Sequence, residues 1–165
     1  MNKKVFQILV DNTTGVLSRI SGLFSRRGYN IESITAGVTA DPRFSRITIV
    51  TSGDDDVLEQ IEKQLAKPVD VRHIKELKPD KSVYRELALV KVKADAQQRA
   101  DVKAIADFYK AKIVDVAYDS IVMELTGRSE KIDSFLELLR DYEILELART
   151  GIAGLGRGSE EVVYL

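Results

Sequence analysis

The sequence predicts an α+β protein built from two consecutive βαββαβ units. Three observations carry that reading. Between residues 5 and 77, short apolar runs alternate with two segments of helical apolar spacing. The stretch Lys78-Pro79-Asp80-Lys81-Ser82 is polar, contains proline and lacks periodicity, which marks a linker. The same order of elements then returns, and ITIVTSGDDDVLEQIEKQL aligns loosely with IVMELTGRSEKIDSFLELL. In that alignment Leu58, Ile61 and Leu65 match Ile132, Phe135 and Leu139, and Gly53 matches Gly127. Two ferredoxin-like domains are expected over residues 1–78 and 82–160, each an antiparallel sheet with helices on one face.

Residues 5–10 read as a strand buried on both faces. A turn of small polar residues ends on Gly15. Val16, Leu17, Ile20, Leu23 and Phe24 then form one helical stripe that Gly28 stops. Residues 31–39 and 46–52 read as strands around the turn signal Asp41-Pro42-Arg43. Alternation in the second of them predicts cover on one side only. Asp54, Asp55 and Asp56 open the next helix, where its dipole favours carboxylates. Val57, Leu58, Ile61 and Leu65 form its apolar face, Pro68 ends it, and residues 69–77 read as a strand. In the second unit, residues 83–93 read as a strand and 96–110 as a helix. Residues 113–117 and 121–126 form a hairpin, 129–140 a helix and 144–149 the last strand.

The chain has 165 residues, 44% hydrophobic and 31% charged, with formal net charge −1. No global field draws it to nucleic acid or an anionic membrane. It contains no cysteine, so disulfides and thiolate metal sites are excluded. The apolar run near the N-terminus is interrupted by Gln7 and ended by Asp11, too short for an export signal. No segment approaches the roughly 20 apolar residues that span a bilayer. Units of this size bury a limited core, and an open sheet face and edge invite a partner, so a homodimer is expected.

The Asn12-Thr13-Thr14-Gly15 turn is the main functional candidate. The first N–H groups of a helix have no partner within it, and Gly15 has no side chain to keep a ligand from the backbone. The N–H groups from Gly15 to Leu17 can hold a carboxylate, and the Asn12 amide offers both a donor and an acceptor. A plain structural role stands beside this one: Asn12 or Thr14 can cap the helix. Asn30 follows the far end of that helix, about 20 Å away for about 13 residues. It therefore reaches the turn of an antiparallel neighbour more easily than its own, or it simply continues the helix-ending turn. His73 is the only histidine and has no second ligand to share a metal. Gly154, Gly156 and Gly158 lack the following helix that a dinucleotide loop needs, so residues 151–160 read as a flexible arm.

Three stretches carry a family resemblance: DNTTGVLSRISGLFSRRGYNIESI, DPRFSRITIVTSGDDDVLEQIEKQLAKPVDV and, in the second unit, RELALVKV. They are long, ungapped and ordered, and the match covers nearly the whole chain. The chain resembles the regulatory (small) subunits of acetolactate synthase, also called acetohydroxyacid synthase. The resemblance implies that residues 1–78 form an amino-acid-binding ACT domain and 82–160 a related ferredoxin-like domain. It implies a noncatalytic cytoplasmic subunit that stimulates a thiamine-diphosphate enzyme and confers feedback inhibition by valine. That enzyme condenses 2-oxoacids in valine, leucine and isoleucine biosynthesis. Thiamine diphosphate, Mg²⁺ and FAD would belong to the large catalytic partner, and this chain would hold no cofactor. Asn12, Gly15, Val16, Leu17, Asn30 and Ile31 would line a site for valine or another branched-chain amino acid, with Asn30 reaching across a homodimer interface. The resemblance assigns the glycine-rich C-terminal segment nothing.

Three other classes fit less well. An RNA-binding module of the same topology needs stacking aromatics on its central strands, and RITIVTS has none. An acylphosphatase-like enzyme needs an arginine in its first loop, and DNTTG has none. A transcriptional amino-acid sensor would carry a helix-turn-helix beside the two units, and the sequence shows no such pattern.

Overall fold

The computed structural model describes residues 1–159. The chain divides into two units: Met1–Tyr84 together with the described residues from Gly151, and Arg85–Thr150. This differs from a division into 1–78 and 82–160. The glycine-rich segment, read from sequence as a flexible arm of the second domain, packs on the first; Glu160 lies outside the described residues.

In the first unit the order is β1 (Asn2–Asp11), α1 (Val16–Arg27), β2 (Asn30–Val38), β3 (Phe44–Gly53), α2 (Asp55–Leu65) and β4 (Val71–Glu76). The strands form an antiparallel sheet in the order β2-β3-β1-β4. Phe6, Ile8 and Val10 alternate along β1 toward the helices and meet Ile20, Phe24, Leu58 and Ile61 in one core. Gly28 takes φ 66°, and its N–H bonds back to Ser25 O, which stops α1 where the sequence indicates.

The other face of this sheet is covered as well. Thr48 and Val50 are buried although they point away from Ile47 and Ile49. The one-sided cover expected of β3 is therefore two-sided. Val5, Val50 and Leu77 make a second small cluster with Tyr84 and Ile152. The linker contributes to this closure: Lys81 N–H bonds to Lys78 O, and the Tyr84 hydroxyl donates to Leu77 O.

The second unit repeats the order with β5 (Ser82–Lys93), α3 (Arg99–Tyr109), β6 (Lys112–Val116), β7 (Ser120–Gly127), α4 (Ser129–Leu138) and β8 (Ile144–Arg149). Its strands run β6-β7-β5-β8. Ala88, Val90 and Val92 face Val102, Ala106, Ile132 and Phe135. Helix α3 starts three residues later than its apolar spacing suggests. Asp95 Oδ1 accepts the N–H groups of Gln97 and Gln98, each at 2.9 Å, and holds residues 96–98 in a turn. A short strand, β9 (Ala153–Gly156), has no counterpart in the sequence reading; it pairs with β5.

Candidate functional site

Strand β1 ends at Asp11, and the chain turns through residues 12–15 into α1. Gly15 stands at the helix start with φ 86°, a left-handed conformation that glycine adopts without a Cβ penalty. Among the described residues no side-chain hydrogen bond caps this helix. The capping role open to Asn12 or Thr14 is therefore not the one the structure has. The first N–H groups of α1 have no partner within the helix, and at the end of a strand that suits an anion.

Asn12 is exposed and anchored to the opposite loop. Its Nδ2 donates to Pro42 O at 3.0 Å, and its Oδ1 accepts Ser45 Oγ at 3.2 Å. One amide N–H and one carbonyl lone pair stay available to a ligand. Val16 is buried against the core and Leu17 is exposed.

Two ion pairs flank the turn, and sequence reasoning did not single them out. Arg19 lies one helical turn after Gly15, and a Cβ at Gly15 would stand 3.2 Å from its Nη1. Its Nε bonds to Asp70 Oδ2 at 2.6 Å. The i,i+4 spacing from Gly15 was a legible signal; the Asp70 partner, far off in sequence, was not. Asp11 forks onto Arg72 at 2.7 and 2.8 Å. The Arg72 hydrogen bonds hold the Asp11 carboxyl below its usual range against the opposing effect of desolvation.

Asn30 and Ile31 lie elsewhere. Asn30 Nδ2 donates to Ser52 Oγ at 3.3 Å, and Asn30 O accepts Thr51 Oγ1 at 2.5 Å. Ile31 is half-buried beside the register shift between Ile31 and Ser33. Asn12 is tied to Ser45 and Asn30 to Ser52, which pair with opposite ends of β2. At 3.4 Å per residue the two serines are about 24 Å apart. Within one chain the structure brings Asn12, Gly15, Val16 and Leu17 together, and keeps Asn30 and Ile31 apart from them.

His73 sits in β4 opposite Leu9. Among the described residues no three histidine, aspartate or glutamate side chains gather as metal ligands, and no helix is long and apolar enough to cross a membrane.

Known proteins give this geometry a family. Residues 6–73 match the model of the AHAS small subunit-like ACT domain, and residues 85–158 match that of the small subunit of acetolactate synthase. The probable acetolactate synthase small subunit of Methanothermobacter thermautotrophicus is 49% identical over 156 residues, 94% of this chain and 93% of that one. The acetolactate synthase isozyme 3 small subunit of Escherichia coli is 46% identical over 159 residues, 96% and 98% of the two chains. The crystal structure of the Thermotoga maritima acetolactate synthase small subunit superposes with a TM-score of 0.88 at 37% identity, covering 96% of this chain and 99% of that one. The chain belongs to the acetolactate synthase small-subunit family, and its first unit is an ACT domain of that family.

Proposed function

We propose that this protein is the noncatalytic regulatory subunit of a cytoplasmic acetolactate synthase. It binds the large catalytic subunit, raises its activity and makes it sensitive to valine. Thiamine diphosphate, Mg²⁺ and FAD are cofactors of that partner. The effector is a branched-chain amino acid held by Asn12, Gly15, Val16 and Leu17 of one chain and by Asn30 and Ile31 of another.

The observation that carries this reading is the uncapped start of α1 at a left-handed Gly15. Its N–H groups suit the effector carboxylate, with the Arg19 guanidinium at hand. The free lone pair of Asn12 suits the ammonium. The separation of Asn12 from Asn30 supports a site completed by a second chain. The β2 edge, paired to β3 alone, is the natural surface for that homodimer.

Mixed dimers test the reading. Calorimetry on the wild-type dimer should find two valine sites. Asn12→Ala and Asn30→Ala homodimers should each lose both. A verified heterodimer of the two variants should regain one, since one of its sites keeps both asparagines. Absence of binding by any branched-chain amino acid at millimolar concentration would overturn the effector assignment. No recovery in the heterodimer would overturn the shared site.

A further inference from the structure

The glycine-rich segment lies across the outer face of the first unit's sheet. Strand register places Ser33, Val50 and Val5 in one row on that face, and Thr35, Thr48, Gln7 and Lys75 in the next. Residues 151–157 cross these rows from β2 to β4. At Gly151, with φ +80°, a Cβ would stand 2.8 Å from Ser33 Cβ and 3.3 Å from Thr35 Oγ1. Ile152 enters the cluster of Val5, Val50, Leu77 and Tyr84. Gly154 O accepts Gln7 Nε2 at 2.8 Å, and a Cβ there would meet Leu77 Cδ1 at 2.9 Å. At Gly156 a Cβ would be 3.0 Å from Lys75 Nζ, and Arg157 N–H bonds to Lys81 O at 2.8 Å. The glycines are what let this strap lie flat on the sheet.

We propose that the strap is a positioning element for effector binding: docked, it fixes β2, and effector binding and strap docking strengthen each other. This rests on the effector reading above. Strand β2 is an edge strand with a bulge between Ile31 and Ser33. A bulge interrupts the ladder, so residues beside it shift more readily than those in an unbroken pairing, also when a second chain covers the edge. The strap touches β2 at Ser33 and Thr35, immediately beyond that bulge and beside the strand's two effector residues, Asn30 and Ile31. Lifting Gly151 away frees the bulge to move them. Half-buried Ile152, the pairing of β9 with β5 and the hydrogen bonds at Gly154 and Arg157 hold the strap, a grip that a ligand can bias.

Gly154→Ala in the full-length chain adds a methyl group against Leu77 and lifts the strap. Amide exchange over residues 152–156 and 33–35 should accelerate, and the valine Kd should rise at least about fivefold. The methyl group would also stand 3.1 Å from Tyr84 Cδ1, and Leu77→Ala in the same chain relieves the closer of these two contacts. The double variant should bind valine within about twofold of Leu77→Ala alone, a recovery that general damage would not give. Valine should slow strap exchange in the wild type. An unchanged valine Kd in a Gly154→Ala chain whose strap exchange has risen would overturn the proposal, as would strap exchange indifferent to valine. If that variant does not fold, Gln7→Leu removes the hydrogen bond to Gly154 and is judged by the same two readouts. A wild-type chain that binds no branched-chain amino acid removes the effector reading and this coupling together. Tight binding by both wild type and Gly154→Ala removes the coupling alone.

Discussion

The two units share one topology and differ at two places that decide their use. In the first unit, the junction between the opening strand and its helix is unfilled: Gly15 is left-handed and no side chain caps α1. In the second, the chain supplies its own carboxylate. Asp95 Oδ1 accepts the Gln97 and Gln98 N–H groups, and Gln98 Oε1 accepts the Asp95 N–H at 3.1 Å. The outer sheet faces also diverge. The strap closes the first over Val5 and Val50, whereas the second carries half-exposed Leu89 beside the Lys91–Glu146 ion pair. Among the described residues neither helix has a side-chain cap: a repeat thus keeps its strand order while one copy enters its first helix through a left-handed glycine and the other through a turn that a carboxylate holds just before the helix.

Identical substitutions on the two outer faces should separate them most. Val50→Lys forces an ammonium into an apolar cluster and should cost about 3–5 kcal/mol. Leu89→Lys lies opposite Glu124 on β7 and should stay within about 0.5 kcal/mol of wild type. Denaturant titrations followed by amide exchange in each unit measure both. Equal costs would mean that the first unit's outer face is not closed in solution.

The second unit has a buried polar tie. Glu86 is nearly fully buried, accepts the Ser129 hydroxyl, and pairs with Arg149 at 2.9 Å, while Arg149 also reaches Asp133 at 2.7 Å. These carboxylates raise the basicity of the Arg149 guanidinium, Glu86 foremost. Arg149→Met leaves Glu86 buried with one hydroxyl. The loss should be about 2–3 kcal/mol, below that of a fully buried pair because Arg149 keeps some exposure. Amide exchange should rise across Arg85–Thr150 and leave β1 and β3 protected. Glu86→Gln in the same chain should return part of the loss, because the uncompensated charge is gone.

The elements of both units were legible because apolar spacing changes from alternation to helical repeat and back at glycines and prolines. Ile20, Leu58, Ile132 and Phe135 are all buried where that spacing puts them. The start of α3 was displaced because a side-chain carboxylate in a turn leaves no periodic trace. The strap was illegible for a different reason. Its glycines serve by lacking a Cβ, and the surface they fit is made by Ser33, Leu77 and Lys75, far off in sequence. The burial of Thr48 and Val50 follows from the strap, so the alternation of β3 pointed to one covered face. At the candidate site, the turn and its glycine were readable from local order. The Arg19–Asp70 and Asp11–Arg72 pairs needed the sheet to bring β4 beside β1.

The smallest expected effect tests the contrast between the two junctions. Asp95→Ala removes the acceptor of two backbone N–H groups and should destabilise the second unit by about 1 kcal/mol, as loss of a helix-start acceptor does elsewhere. Exchange at Gln97 and Gln98 should quicken first, since those amides lose their partner. The variant should not gain a valine site. Residues 96–98 still form a turn of non-glycine residues, and the Gln98 side chain stays beside the freed N–H groups. Calorimetry should therefore keep one valine per chain. A second site appearing in Asp95→Ala would mean that this one carboxylate is all that separates the repeats as ligand binders. Unchanged exchange at Gln97 and Gln98 would instead place the closure in the backbone around buried Ala94, whose N–H bonds to Asp119 O at 2.8 Å.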